Sequence, residues 1–331
     1  MPYDAPKTPL HLRLNRDDDV IIALREIAAG TRLESEGVSA ADKIPPGHKM
    51  ATRAKAPGEP VRRYGQIIGF ASEAISPGRH VHTQNCAFGE FDRDYAFAKD
   101  ARNEPMLSSA ERATFEGYRR ASGKAGTRNY IGILTSVNCS ASVSRYVADR
   151  FRGPDFARDF PGVDGVVAFT HKGGCAMTTE EPKRVLQRVL AGMARHPNIS
   201  GYVLIGLGCE VNQVSDLFED QRLGDPSRGE IPAAVLNIQQ EGGVQRTVES
   251  AARAVASLLP GAAAMKRTPQ PVSRLILALN CGGSDAASGI SANPVVGAAS
   301  DLLIRHGGAS VLAETTEIFG GEHLLTRRAV S

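Results

Sequence analysis

From residue 130 onward the sequence repeats one unit: a short, nearly all-apolar run, a glycine-rich turn, then an amphipathic stretch. The runs are 130–137 (YIGILTSV) before SASVSRYVADRF, 163–170 (VDGVVAFT) before TEEPKRVLQRVLAGMARH, and 201–207 (GYVLIGL) before NQVSDLFED. Two more follow, 231–238 before VQRTVESAARAVASLL and 274–279 (RLILAL) before NPVVGAASDLLIRHG, and 309–313 reads as a further strand. Continuous apolar strands alternating with amphipathic helices predict an α/β fold whose parallel, Rossmann-like sheet is covered on both faces. In such sheets ligands bind beyond the carboxyl ends of the strands.

Four of those ends carry a cysteine: SVNC at Cys139, KGGC at Cys175, GLGC at Cys209 and ALNC at Cys281. If the strands are neighbours, the thiols gather along one sheet edge. Thiolates suit iron, zinc or an iron–sulfur cluster, although each cysteine alone is equally a small buried hydrophobe. No CxxC pair is present, so a metal reading rests on the fold. His171 and Lys172 precede the second turn and Asn212 follows the third. Histidine at such a place serves as base, ligand or hydrogen-bonded structural residue.

Residues 10–86 read differently. Short alternating runs are punctuated by related turns at Gly30, Gly58 and Gly78, which predicts a small, mostly β module. Within it, 20–27 has helix-like apolar spacing and is expected to form one short helix. His80 and His82 sit two apart, so a strand presents both on one side. They can share a metal, handle a substrate carboxylate and a proton, or simply form a solvated polar face. Residues 87–114 lack any sustained period and read as a linker or surface arm. An α/β domain is expected over 115–331. At its start lie Arg119, Arg120 and Arg128, whose guanidinium forks suit a carboxylate.

Composition narrows the partners. The chain of 331 residues carries 39 Lys+Arg against 36 Asp+Glu, a net charge of +3, which argues against a nucleic-acid reader. No apolar run reaches membrane-spanning length and the N-terminus lacks a secretory pattern, so a cytoplasmic protein acting on a small molecule is expected, with homo-oligomerisation open. Five cysteines in so long a chain disfavour a disulfide framework. There is no GxxxxGK[ST], and no GxGxxG lies between a strand and a helix.

The segments GHKMA (47–51), YGQIIGFA (64–71), GRHVHTQN (78–85), FEGYRR (115–120), GTRNYIGILTSVNCS (126–140), GLGCEVNQ (206–213) and CGGSDAASGISANPVVGAASDLL (281–303) resemble the altronate/galactarate dehydratase family of sugar-acid hydro-lyases. The resemblance runs through essentially the whole chain. It implies an N-terminal SAF-type β-clip module, an α/β dehydratase region, and iron-dependent β-elimination of water from a six-carbon sugar acid. HVHTQN favours D-altronate, with galactarate or sulfolactate as alternatives. A metal and a positioned base are what removal of a weakly acidic α-proton requires. The resulting expectation is iron, as Fe2+ or an iron–sulfur centre, held by Cys139, Cys175, Cys209 and Cys281 with His80. His82 or His171 would act as base, and Arg128 and Lys172 would bind the acid end. Asn138, Asn212, Asp285 and Asn293 would meet the hydroxyls. Members of the family continue further, so the chain is expected to be incomplete at its C-terminal end; an inactive carbohydrate-binding or assembly module is the competing reading.

Overall fold

The computed structural model describes residues 9–223, 234–283, 285 and 287–330. Its contacts group the chain into two compact units: Met1–Glu104 with Ala278–Asp301 and Leu312–Ser331, and Pro105–Leu277 with Leu302–Val311. This grouping cuts across the single α/β domain expected over 115–331.

The N-terminal part of the first unit is a β module. Strands β1 (His11–Leu12), β2 (Val20–Ala23), β3 (Arg32–Leu33), β4 (Val38–Ser39), β5 (Lys49–Ala51), β6 (Pro60–Arg63), β7 (Gln66–Ala71), β8 (His80–Val81) and β9 (Cys86–Ala87) follow one another. They form a four-stranded sheet ordered β1-β2-β5-β8, a three-stranded sheet β6-β7-β9 and the hairpin β3-β4. The helix expected over 20–27 is instead β2, with all four residues buried. Ile21 and Ala23 pack with Met50 and Ile44, whereas Val20 packs with Val61 and Val81. A strand apolar on both faces loses its period of two, and the sequence spacing then imitates a helix.

The expected turns are present. Gly30, Gly58 and Gly78 have φ of 83°, 83° and 87°, the left-handed region that residues with a Cβ rarely enter. Two buried carboxylates stitch the module. Asp18 accepts from the Gly65 amide at 2.7 Å, and Asp19 accepts from the Arg62 amide at 2.9 Å while pairing with Lys55 at 2.8 Å.

In the second unit, β10 (Thr114–Arg119), β11 (Ala125–Gly126) and β16 (Thr268–Pro271) form an antiparallel sheet. The predicted parallel sheet comprises β12 (Tyr130–Thr135), β13 (Gly165–Phe169), β14 (Ile199–Gly206) and β15 (Ala234–Asn237), ordered β13-β12-β14-β15. Residues 231–233 of the expected strand 231–238 lie outside the described residues.

Alternation along β12 and β14 sends Ile131, Ile133, Val203 and Ile205 to one face. There they meet Val143 and Val147 of α1 (Ala141–Asp149) and Val255 and Leu259 of α6 (Val244–Ala263). Leu134, Tyr202 and Leu204 take the other face, against Leu190 of α3 (Glu181–Ala194) and Leu217 of α4 (Val214–Gln221). The short helices α2 (Pro154–Asp159) and α5 (Ile238–Glu241) complete the connections.

Strand β17 (Ile276–Leu279) does not join this sheet. It pairs with β18 (Ala309–Leu312) in a separate two-stranded sheet. Helix α7 (Ala292–Arg305) lies between these strands in sequence, and α8 (Glu322–Thr326) follows them. In the first unit Arg327, just past α8, forms ion pairs with Asp94 and with Asp100 at 2.6 Å. Part of the aperiodic segment 87–104 is thus an arm bound to that helix end. Among the described residues, no helix is long and apolar enough to cross a membrane.

Candidate functional site

In the β module, β5 and β8 run antiparallel with Met50 opposite His80 and Lys49 opposite Val81. Carrying that register one step further sets His48 opposite His82, on the same face as His80. The three imidazoles therefore converge. Ring centroids are 5.0 Å apart for His48 and His80, 5.2 Å for His48 and His82, and 5.7 Å for His80 and His82. Nδ1 of His48 and Nε2 of His80 share a hydrogen bond of 2.9 Å. His82 is exposed, its Nδ1 lies 3.1 Å from the Thr83 hydroxyl, and its amide donates to Asn85.

Burial lowers the pKa of His48, helped by positive charge at His82 and Lys49. Burial also lowers that of His80, helped by His48 and His82 and opposed by Asp42. Both shifts favour the neutral ring, the form that binds a metal or accepts a proton. Lys49, on the opposite face by register, is also pushed down by burial and by Arg63. Among the described residues no group of three or more His, Cys, Asp or Glu side chains stands ready-made to hold a metal ion. His48 and His80 spend their facing nitrogens on each other. In donor chemistry, neutral imidazoles fit a divalent iron. His48, from the GHK segment, completes the cluster with the expected pair His80 and His82.

The second unit gathers three of the four expected thiols at the carboxyl ends of β12, β13 and β14. Their loops are sewn together. The Asn138 amide donates to the Gly173 carbonyl at 2.8 Å, and the Val211 amide to that of Cys175 at 2.9 Å. Cys139 and Cys209 are exposed and Cys175 is partly buried. Cys281 follows β17, outside this sheet, and is exposed. The expectation of four thiols on one sheet edge is therefore corrected to three, because β17 pairs with β18 instead.

Glu210, 2% exposed, is the anchor of this edge. It accepts from Ser136 Oγ at 2.7 Å, the Leu207 amide at 3.0 Å and the Gly208 amide at 2.6 Å. Burial opposes its charge, but these hydrogen bonds outweigh burial and hold its carboxyl below the usual range. Asn212 is equally buried and donates to the Ser136 carbonyl at 3.0 Å. It ties the loops together through this bond, while its Oδ1 is buried and has no hydrogen-bond partner among the described residues.

His171 takes a similar place. Its Nε2 donates to the Thr135 carbonyl at 3.0 Å while Nδ1 accepts from the Gly173 amide at 3.0 Å. Both nitrogens are engaged with backbone, so the ring braces the loops at this edge. Lys172 and Asn138 are exposed at the same edge. Arg128 is not there: it precedes β12 and pairs with Asp164 at 3.0 Å. The six residues of β12 put roughly 20 Å between the two ends of the strand. In the first unit Asp285 accepts from the Ala287 amide at 2.6 Å, shaping the turn before α7, and Asn293 is exposed on α7.

With this geometry in view, comparison with known proteins is decisive. Sequence profiles described as Altronate/galactarate dehydratase SAF domain, D-galactarate dehydratase/Altronate hydrolase, second domain, and D-galactarate/Altronate dehydratase, C-terminal, match residues 9–88, 117–263 and 272–331 in turn. The chain belongs to the altronate/galactarate dehydratase family. It is 33% identical over 323 residues to altronate dehydratase of Bacillus subtilis (strain 168), covering 97% of this chain and 63% of that protein. It is 35% identical over 328 residues to altronate dehydratase of Escherichia coli (strain K12), covering 95% and 62%. Galactarate dehydratase (L-threo-forming) of Escherichia coli (strain K12) is also 35% identical, over 333 residues, covering 98% and 62%. The chain thus spans less than two thirds of the length of these relatives. The imidazole cluster lies within the SAF match, and the stitched cysteine loops lie within the second-domain match.

Proposed function

We propose that the chain carries the dehydratase chemistry of its family, removing water from a six-carbon sugar acid, D-altronate in preference to galactarate, to give a 2-keto-3-deoxy sugar acid. The observation that carries this reading is the convergence of the His48, His80 and His82 rings, with burial lowering the pKa of two of them. The names of the relatives supply the substrate class.

His48 and His80 would hold a divalent iron, exchanging their mutual hydrogen bond for it. When bound, iron supplies a Lewis acid for the carboxylate and hydroxyl oxygens of the acid. His82, exposed and oriented through Thr83 and Asn85, takes the proton from C2. The electron pair of that C–H bond becomes the C2–C3 double bond as the C3–O bond breaks. The proton held on His82 neutralises the departing hydroxide as water, and the enol left behind tautomerises to the 2-keto acid. The cysteine edge, with Lys172 and Asn138 exposed on it, then serves as a polar ligand surface and not as the iron centre.

The test is anaerobic loading of the chain with ferrous iron and assay of 2-keto-3-deoxy acid from D-altronate and from galactarate. Product from D-altronate with the higher kcat/KM supports the reading. Iron binding without product from either acid would overturn it.

A further inference from the structure

A cavity lies at the opposite end of the parallel sheet from the cysteine loops. It encloses about 280 Å³ beside the amino end of β14. The hairpin turn between β10 and β11 contributes Arg119, Arg120 and Lys124, and the loop from α3 to β14 contributes Arg195 and His196. Arg195 is engaged on the Gln221 and Arg222 carbonyls, and among the described residues that line the cavity beside Arg119, Arg120 and Lys124 there is no carboxylate. This is an unusual balance for a chain with nearly equal acidic and basic counts, because a cluster of cations repels itself unless an anion offsets it.

Arg120 sharpens the point. Its Nε donates to the Pro197 carbonyl at 2.7 Å, and its terminal nitrogens donate to Asn129 Oδ1 at 3.0 Å and the Arg128 carbonyl at 3.1 Å. The guanidinium is thus rigidly placed by neutral oxygens, and no ion pair to Arg120 occurs among the described residues. Burial lowers its pKa, the mark of a charge separated from water without a counter-charge.

Donors remain for a ligand. Arg119 and Lys124 make no side-chain hydrogen bond or ion pair among the described residues. His196 accepts the Asn198 amide on Nδ1 at 3.1 Å, which places the proton of the neutral ring on Nε2, a donor. Around these cations the wall is apolar, with Pro197, Ile199 and Met265.

We propose that this cavity is a second ligand site, specific for a small organic carboxylate whose charged end lies among Arg119, Lys124 and His196 and whose apolar body lies against Pro197, Ile199 and Met265. It is independent of the dehydratase reading, since the placement, charge and lining all differ from those of the imidazole cluster. Guanidinium and ammonium groups recognise the oxyanion, and the apolar wall selects an acid over a bare inorganic ion.

Calorimetric titration of the full chain with hexanoate, inorganic phosphate and hexanol tests it. Saturable hexanoate binding is expected, with phosphate and hexanol weaker. In the double variant Arg119→Gln/Lys124→Gln, both positions being exposed, hexanoate affinity should fall by about tenfold or more with thermal unfolding unchanged. Absence of hexanoate binding, or equal affinity in the variant, would overturn the site. Phosphate binding as tightly as hexanoate would overturn its selectivity for an organic acid.

Discussion

Nδ1 of His48, just before β5, and Nε2 of His80, on β8, lie 2.9 Å apart across 32 residues of sequence. Two protonated imidazoles would repel at that distance, so the contact itself requires at least one neutral ring. The β module thereby keeps ready the protonation state that metal binding and proton abstraction both need.

Replacement of His48 by Ala should remove stoichiometric iron and lower turnover of D-altronate by about 10²-fold or more. Cys209→Ser should leave both nearly unchanged. Metal analysis alongside the dehydratase assay decides; iron loss in the cysteine variant alone would move the centre to the sheet edge. Chelation should abolish turnover of the parent chain, and ferrous iron should restore it.

Glu210→Gln should destabilise the second unit by about 2–4 kcal/mol at neutral pH, since it weakens a buried acceptor that serves one hydroxyl and two amides. Against the opposing effect of burial, hydrogen bonds from Ser136 and the loop amides hold the carboxyl below the usual carboxylate range. Its contribution is therefore complete above the unfolded pKa and is lost as pH falls through the folded one. Urea midpoints of parent and variant should differ at neutral pH and converge in acid; a constant difference would contradict the linkage.

Arg128→Ala should change KM for the sugar acid by less than about twofold and stability by about 0–1 kcal/mol, as expected for an exposed ion pair. Steady-state kinetics and thermal unfolding measure both. A large rise in KM would return this arginine to the substrate site.

Gly78→Ala should cost about 2 kcal/mol or more, because the backbone has φ of +87° and an added Cβ would meet the Ser39 carbonyl oxygen at 2.1 Å. Gly30→Ala, at φ +83° with nothing within 4 Å, should cost only about 1 kcal/mol. Comparing the two by thermal denaturation separates backbone conformation from collision.

Much of this was legible in the chain. The apolar runs at 130–137, 163–170 and 201–207 announce buried parallel strands because both their faces are covered, and the glycine turns at 30, 58 and 78 announce the β module because few residues accept a left-handed backbone. The strand β2 was not legible, since burial on both sides erased its alternation. Nor was the departure of β17 from the sheet, because an apolar run states that a strand is buried or paired but not with which neighbour. His171 looked like a base by position, and only its two hydrogen bonds reveal a ring used to hold backbone.

The sequence by itself determined the α/β class, the N-terminal β module, the family and the inventory of reactive side chains, all of which depend on local pattern and residue identity. Tertiary structure decided which of those side chains meet. Strand pairing brought His48 to His80 and His82, sheet order left the strand before Cys281 paired with β18 and not with the parallel sheet, and the direction of β12 put Arg128 at the opposite end of that sheet from its cysteine loops. Register, strand order and chain direction arise from contacts distant in sequence, where no local period records them.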